Sequence, residues 1–384
     1  LVAAEEADIM AEGCTKTAYD MAMGTSQMLG CLTERLQDIS EDASLTCFGQ
    51  EFNPETYAIA KADMLIKGGN ASGMKYGDTL SDGAFSGYEF DYIISNPPFG
   101  IDWKREKVQV EAEAKRGFDG RFGPGLPAIS DGQMLFMLNG VKKLKEGSGR
   151  MAIIQNGSSL FTGDAGSGAS AIRRYVIEGD LVEAIIQLPT DLFYNTGIST
   201  YIWVLTRGKD LHRGGKMQLI DASKCFVKRR KNIGSKRVDL DDACIDLILR
   251  AYEEFGNETY EENGLVVESK VFDNSFFGFT KVTVETAQAD KDGKPVLKKG
   301  KYQPVKGASD TEIIPLGEDM DEYMKKNVLP YNPLAYINPA KDKIGYEVPF
   351  TRLFYKFVAP QSSAAIFEDI KALETEETIL MKVL

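Results

Sequence analysis

Between residues 45 and 206 short runs rich in β-branched and aromatic residues alternate with stretches of helical period, and no other feature limits the fold as much. The spacing predicts strands over 45–49, 92–95, 151–156, 181–188 and 200–206. Helical patterns occupy 27–39, 54–67 and 132–145, the last with Met134, Leu135, Met137, Leu138, Val141 and Leu144 along one side. Strands separated by helices of this length form a parallel sheet covered on both faces, so the expected fold is α/β, doubly wound and mostly parallel. In such sheets ligands bind beyond the carboxyl ends of the strands, which directs attention to the turns that follow them. Residues 15–19, with Thr15, Lys16 and Thr17, make a poor buried strand.

Farther along, 239–255 reads as a helix. Residues 276–285 and 295–303 read as a two-stranded hairpin around Asp292-Gly293, a pair that favours the positive φ angles of tight hairpin turns. A proline-rich stretch follows, and 366–384 again has helical period. The expected divisions are a large α/β unit at 1–255, a carboxyl-terminal extension with the hairpin at 256–360 and a terminal helix at 361–384.

The chain has 384 residues, enough for a large core, and Lys+Arg 45 against Asp+Glu 57 gives a net charge of −12. So acidic a chain is no general sleeve for a polyanion, and any nucleic acid must meet a local patch or a partner. Cys14, Cys31, Cys47, Cys225 and Cys244 form no C-x-x-C pair, which argues against zinc ribbons and disulfide frameworks and for a reducing cytoplasm. His212 is the only histidine and has no nucleophile or second ligand beside it. Ser-His-Asp hydrolysis and histidine metal sites are therefore disfavoured, and no metal is expected. No apolar run reaches the ~18 residues of a membrane span, and residues 1–6 lack the basic and apolar regions of a signal peptide. Without an initiator Met the chain is expected to be a fragment.

The most informative segment is Phe90-Asp91-Tyr92-Ile93-Ile94-Ser95-Asn96-Pro97-Pro98-Phe99, an apolar strand that stops at Asn-Pro-Pro-Phe. Prolines cannot donate ladder hydrogen bonds, so Pro97 and Pro98 end the strand and stiffen the loop. The Asn96 side chain and the Pro97 carbonyl then offer two fixed acceptors at the strand's carboxyl end, with the Phe99 ring close by. Those parts suit an exocyclic amine on a planar base. Such an amine is a poor nucleophile because its lone pair is delocalised, and two acceptors gripping its N–H groups can turn that lone pair toward an electrophile. Methyl transfer from a sulfonium is then a direct displacement governed by orientation. The plainer alternative is a stiff loop that binds nothing, which requires a chance match of Asn/Asp/Ser-Pro-Pro-aromatic, an event on the order of a per cent at average Pro usage.

Upstream, Glu51 closes a short strand just before Asn53-Pro54 and a helix. An acid at the end of the second strand of a doubly wound sheet commonly accepts bonds from a ribose diol, so Glu51 is a candidate cofactor ligand. Its plainer role is a charge that favours a helix N-terminus. Asp78, in Gly77-Asp78-Thr79, stands where it could meet an adenine amine at the third strand's end, although Gly-Asp is also ordinary turn chemistry. Lys104, Arg105, Lys107, Lys115 and Arg116 suit either phosphate contact or a solvated helix shared with Glu106, Glu111 and Glu113. The basic run Lys228-Arg229-Arg230-Lys231 has the better case for phosphate or partner contact. Gly123-Pro124-Gly125 reads as a mobile loop near the target base, and 163–168 as another loop.

Taken in order, the stretch Asp20-Met21-Ala22-Met23-Gly24-Thr25-Ser26-Gln27, then Gly49-Gln50-Glu51, Gly77-Asp78-Thr79-Leu80, Asn96-Pro97-Pro98-Phe99, Asp131-Gly132-Gln133 and Asn195-Thr196-Gly197-Ile198 resemble the methyltransferase (M) subunit of type I restriction-modification systems, N6-adenine DNA methyltransferases. Gly345-Tyr346-Glu347-Val348-Pro349-Phe350 and the final helix extend the resemblance over nearly the whole chain. It implies a Rossmann-like S-adenosylmethionine-dependent methyltransferase fold over 1–255, S-adenosylmethionine as donor and N6-methyladenine in DNA as product. By the same resemblance Asn96 and the Pro97 carbonyl, stiffened by Pro98, hold the target amine beside the cofactor, and Phe99 stacks on an adenine flipped out of the duplex. Glu51 takes the ribose hydroxyls, Asp78 the cofactor adenine, and Asp20, Gly24 and Thr25 the methionine end. The implied partners are DNA, a specificity subunit that reads its sequence and a restriction subunit, in a cytoplasmic hetero-oligomer assembled through the terminal helix.

The family's first motif resembles Asp-Pro-x-Cys-Gly-[Thr/Ser]-Gly-Gly, and here Met21, Met23, Ser26 and Gln27 replace Pro, Cys and both later glycines. Glycines there let the backbone approach a cofactor closely, so side chains at 26 and 27 are expected to crowd it. The helical domain that precedes this motif in the family has no counterpart in the first twenty residues. Two other functions stay open: a truncated or impaired assembly subunit that binds a specificity partner without holding cofactor, and a protein-glutamine methyltransferase, a class that also uses Asn-Pro-Pro-aromatic loops. Cytosine C5 chemistry is disfavoured because it needs a nucleophilic thiol and no Pro-Cys occurs.

Overall fold

The computed structural model describes residues 1–2, 6–357 and 359–381, which fall into two compact units, Leu1–Pro349 and Phe350–Leu384. The first is built on β1 (Thr15–Asp20), β2 (Ser44–Glu51), β3 (Met74–Tyr76), β4 (Tyr92–Ser95), β5 (Arg150–Asn156), β6 (Val182–Gln187), β7 (Thr200–Thr206) and β8 (Lys216–Lys224). A two-stranded ribbon follows, β9 (Val227–Ile233) with β10 (Lys236–Asp239), and then β11 (Thr259–Glu262) and β12 (Leu265–Asp273) return to the sheet. The strand order is β11-β12-β8-β6-β7-β5-β4-β1-β2-β3. From β5 to β3 all neighbours are parallel, β7 lies antiparallel between β5 and β6, and β6 is parallel to β8. The doubly wound, mostly parallel sheet read from the sequence is therefore present, and β11 and β12 carry it on to Asp273, beyond residue 255.

Residues 15–19 do form a strand, and a central one. Ala18, Tyr19 and Asp20 are buried, while the polar start is satisfied sideways: Thr17 donates from its N–H and its hydroxyl to Asp91 Oδ2 at 2.9 and 2.8 Å. The helices sit where capping chemistry allows. Asn53 accepts from the Glu55 and Thr56 N–H groups at the start of Pro54–Ile66, with Pro in the first turn. Asp241 caps Asp242–Glu254, three residues later than the expected start. Helix Gly168–Glu178, capped by Ser167, follows the glycine-rich 163–168 directly and was not expected. Apolar residues of Gln27–Ile39 (Leu29, Leu32, Leu36) pack with β1 and β2 on one side, and Leu247, Ala251 and Tyr252 of Asp242–Glu254 pack with β6 and β8 elsewhere on the sheet. Each buried leucine among them contributes about 1.5–3 kcal/mol on burial.

The hairpin partner differs from expectation. β13 (Gly278–Ala287) leads into the Asp-Gly turn, where Asp290 accepts from the Asp292 and Lys294 N–H groups at 2.9 and 2.8 Å. Beyond it Lys299 and Gly300, with φ 50 and 76, make a second turn that folds 295–303 back on itself as β14 (Leu297–Lys298) and β15 (Lys301–Tyr302). The long antiparallel partner of β13 is β16 (Pro304–Pro315), and β17 (Ala335–Ile337) and β18 (Lys343–Tyr346) pair along its other edge.

The second unit holds two helices, Phe350–Phe354 and Ser363–Met381. The last three residues of the expected terminal helix, 382–384, lie outside the described residues. Among the described residues no helix is long and apolar enough to cross a membrane.

Candidate active site

A cavity of about 620 Å³ lies beyond the carboxyl ends of β1 to β4, within the size range of small-molecule sites. Each strand delivers residues to it: Met21 and Ala22 after β1, Glu51 and Phe52 at the end of β2, Asp78 to Leu80 after β3, and Asn96 and Pro98 after β4. Ile101 to Trp103, Arg105, Glu106, Gly132 and Phe136 complete the wall. The site thus brings together Glu51, Asp78, Asn96 and Pro98. Asp20, Gly24, Thr25, Pro97 and Phe99 do not line it.

Glu51 ties two loops together: its Oε2 accepts from the Gly24 N–H at 2.9 Å and its Oε1 from the Asn53 N–H at 2.8 Å. Asp78 Oδ1 accepts from the Leu80 and Ser81 N–H groups at 2.6 and 2.9 Å, which shapes the turn after β3. The half-buried Asn96 side chain makes no hydrogen bond among the described residues. Asp20 lies beneath the wall, 1% exposed, its Oδ1 accepting from the Ala22 N–H and the Ser95 hydroxyl at 3.1 and 2.8 Å. Burial pushes its carboxyl up to about 7 against the pull of those donors. Burial, reinforced by the facing Asp78 carboxylate, also lifts the Glu106 carboxyl above its ordinary range. With Glu51, Asp78, Asp102 and Glu106 against Arg105, the wall is acidic and suits a ligand that carries positive charge.

The expected crowding by Ser26 and Gln27 does not arise at this cavity. Ser26 takes φ 68, the left-handed conformation a glycine adopts freely, so the backbone keeps the path of a glycine loop. Its hydroxyl is buried without a hydrogen-bond partner and borders a separate hollow with Thr33, Cys47 and Asp63. Gln27 is exposed and donates to Asp63 at 3.4 Å. Met23 packs over Gly49, where a Cβ would fall 2.2 Å from its sulfur.

Several wall residues escaped the sequence reading. Trp103 is buried and held by its indole N–H on the Ala128 carbonyl at 3.0 Å, and Phe52 stands 59% exposed at the rim. The position of Phe52, next to a strand-ending acid, was the available signal. Behind the wall Arg121 donates to the Thr79 and Leu80 carbonyls and to Asn139 at 2.6, 3.0 and 3.0 Å while paired with Glu113. Gln133 of the Asp131-Gly132-Gln133 motif donates to Asp131 and to Asn156 at 2.7 and 2.8 Å, fixing the end of β5.

Comparison with known proteins agrees with this geometry. Residues 6–292 match the family model described as N-6 DNA Methylase. The chain is 27% identical over 315 residues to the type I restriction enzyme MjaIX methylase subunit of Methanocaldococcus jannaschii, spanning 80% of this chain and 51% of that protein. It is 28% identical over 299 residues to the HindI methylase subunit of Haemophilus influenzae, spanning 76% and 63%. Among solved structures, the methyltransferase subunit of a type I restriction-modification system from Streptococcus thermophilus aligns with a TM-score of 0.57 at 27% identity, over 71% of this chain and 53% of that one. The chain therefore spans about half the length of the first relative and of the solved subunit. The fold and the resemblance read from the sequence are both borne out, and with most of its length inside that family model the chain belongs to the N-6 DNA methylase family.

Proposed function

We propose that the chain transfers a methyl group from S-adenosylmethionine to N6 of an adenine flipped out of duplex DNA, as the methyltransferase subunit of a type I restriction-modification system. The observation that carries this reading is the Asn96 amide, unengaged by other described residues, on the same wall as Glu51 and Asp78. The residues present fit the donor: the cavity is large enough, its wall is acidic, and Glu51 spends one bond per oxygen on Gly24 and Asn53, which leaves lone pairs for a ribose diol. When bound, S-adenosylmethionine supplies an electrophilic methyl on a sulfonium centre.

In this reading Asn96 Oδ1 accepts one N–H of the target amine and the Pro97 carbonyl the other, which localises the nitrogen lone pair and aims it along the displacement axis. Pro98 keeps those acceptors in place, and Phe99 offers its ring to the flipped base. The proton leaves to solvent after transfer, so no histidine base is needed. Asp78 meets the cofactor adenine, while Gly24, Thr25 and the buried Asp20 shape the methionine end from behind. Catalysis belongs to residues 1–255, with 256–360 as an extension and 361–384 as an assembly helix. The exposed Ile366, Phe367, Ile370 and Leu373 along that helix support docking to a specificity subunit in a cytoplasmic complex that a restriction subunit can join.

The test is calorimetric titration with S-adenosylmethionine, then single-turnover methylation of duplex DNA together with a specificity subunit. Saturable binding is expected, weakened by Glu51→Ala, and Asn96→Ala is expected to abolish transfer while binding persists. Unchanged transfer by Asn96→Ala would sink its role. A parent chain that takes up no donor would point instead to an assembly subunit.

A further inference from the structure

We infer that the β9–β10 ribbon is the surface through which this chain holds the phosphate backbone of duplex DNA, independently of base sequence. β8 runs in the direction of β4 and ends at Lys224, so β9 leaves the sheet at the edge where the cavity lies. The ribbon is anchored there to the loop that follows β6: the Ser235 N–H donates to the Tyr194 carbonyl at 2.9 Å and the Arg237 N–H to the Asp191 carbonyl at 2.8 Å. Lys236 Nζ lies 5.1 Å from the centre of the Tyr194 ring.

The ribbon's charge is mostly unspent. Asp239 engages Arg229 and Lys236 at 2.5 and 2.9 Å. Lys228, Arg230, Lys231 and Arg237 are exposed and form no ion pair among the described residues. In the rival patch after the Asn96 loop Lys104 pairs with Asp102 and Lys107 with Glu111, each at 3.6 Å, and the exposed Arg105, Lys115 and Arg116 are interleaved with Glu106, Glu111 and Glu113 along the chain, which dilutes their charge. On a chain of net charge −12 a ribbon bearing four such cations is a local reversal of sign. Two-stranded ribbons fit the major groove of B-DNA, and unpaired cations bind phosphates through release of condensed counterions. Four strand spacings separate β8 from β4, about 19 Å at ~4.8 Å each. For a duplex lying along the sheet edge, that places the contact roughly five to six phosphates from the flipped base.

The inference rests on DNA being the substrate, yet its test does not depend on methyl transfer. Anisotropy of a labelled duplex of about 30 base pairs is measured with the 384-residue chain and with the variant Lys228→Ala/Arg230→Ala/Lys231→Ala/Arg237→Ala across roughly 50 to 200 mM salt. Far-UV circular dichroism verifies that the variant is folded. Loss of four phosphate contacts is expected to flatten the slope of log affinity against log salt by about three to four, close to 10²-fold over that range. A variant that binds as the parent does, or a parent that does not bind duplex, overturns the inference. So does a variant that keeps the duplex but loses a specificity subunit, which would make the ribbon a protein interface. Failure of the methylation reading looks different: the parent would bind duplex through the ribbon and methylate nothing.

Discussion

Asp20 is 1% exposed and satisfied by the Ala22 N–H and the Ser95 hydroxyl, and burial raises its carboxyl to about 7. Between about pH 4 and pH 7 the folded chain therefore binds more protons at this site than the unfolded chain does. Its contribution to stability is complete below the unfolded value and is lost as pH rises through 7. Asp20→Asn keeps the Oδ1 acceptor and removes the titration. Urea denaturation of parent and variant is expected to coincide near pH 4 and to diverge by about 1–4 kcal/mol in the variant's favour by pH 8, and parallel curves would return this carboxyl to the ordinary range. Glu51, Asp78 and Asn96 were readable because each stands beside a strand terminus that breakers mark, whereas Asp102, Arg105 and Glu106 sit beyond the Asn96 turn with no such mark. Phe52, Trp103 and Phe136 were not readable, because an apolar side chain reads the same in sequence whether it walls a cavity or fills a core.

The helix Gln27–Ile39 begins at a residue in a conformation that serine adopts reluctantly. Ser26→Gly relieves that backbone and removes a buried hydroxyl without a partner, and is expected to raise stability by about 1 kcal/mol in thermal denaturation. A lowered midpoint would mean that the hydroxyl is satisfied in solution. Strands bounded by Gly, Pro and Asn were legible as elements, and β4 matches its expected limits. β1 reads poorly because its polar residues depend on Asp91, 74 residues away from Thr17 in the chain. The helix Gly168–Glu178 was hidden by the glycines at its start, and the hairpin failed because an Asp-Gly pair fixes a turn but not the length of strand beyond it.

Glu183 of β6 joins distant parts of the first unit. Its carboxylate pairs with Arg150 of β5, accepts the Tyr252 hydroxyl at 2.8 Å and lies 3.5 Å from Arg213, all four residues buried. Glu183→Ala removes the anion between two buried cations and is expected to destabilise the fold by about 3–5 kcal/mol, read as a lower urea midpoint. A loss under about 1 kcal/mol would show that the cluster only balances its own desolvation. The same region holds β7 between β5 and β6, although β7 comes after both in the chain. During synthesis every residue that lines the cavity, from Met21 to Phe136, has emerged before Thr200 is made. Until then β5 has an open edge and β6 lacks both of its neighbours in the sheet, β7 and β8, so a ribosome stalled in residues 188–199 would hold a nascent chain with every cavity-lining residue encoded and an unsealed hydrogen-bonding edge on which aggregation could start.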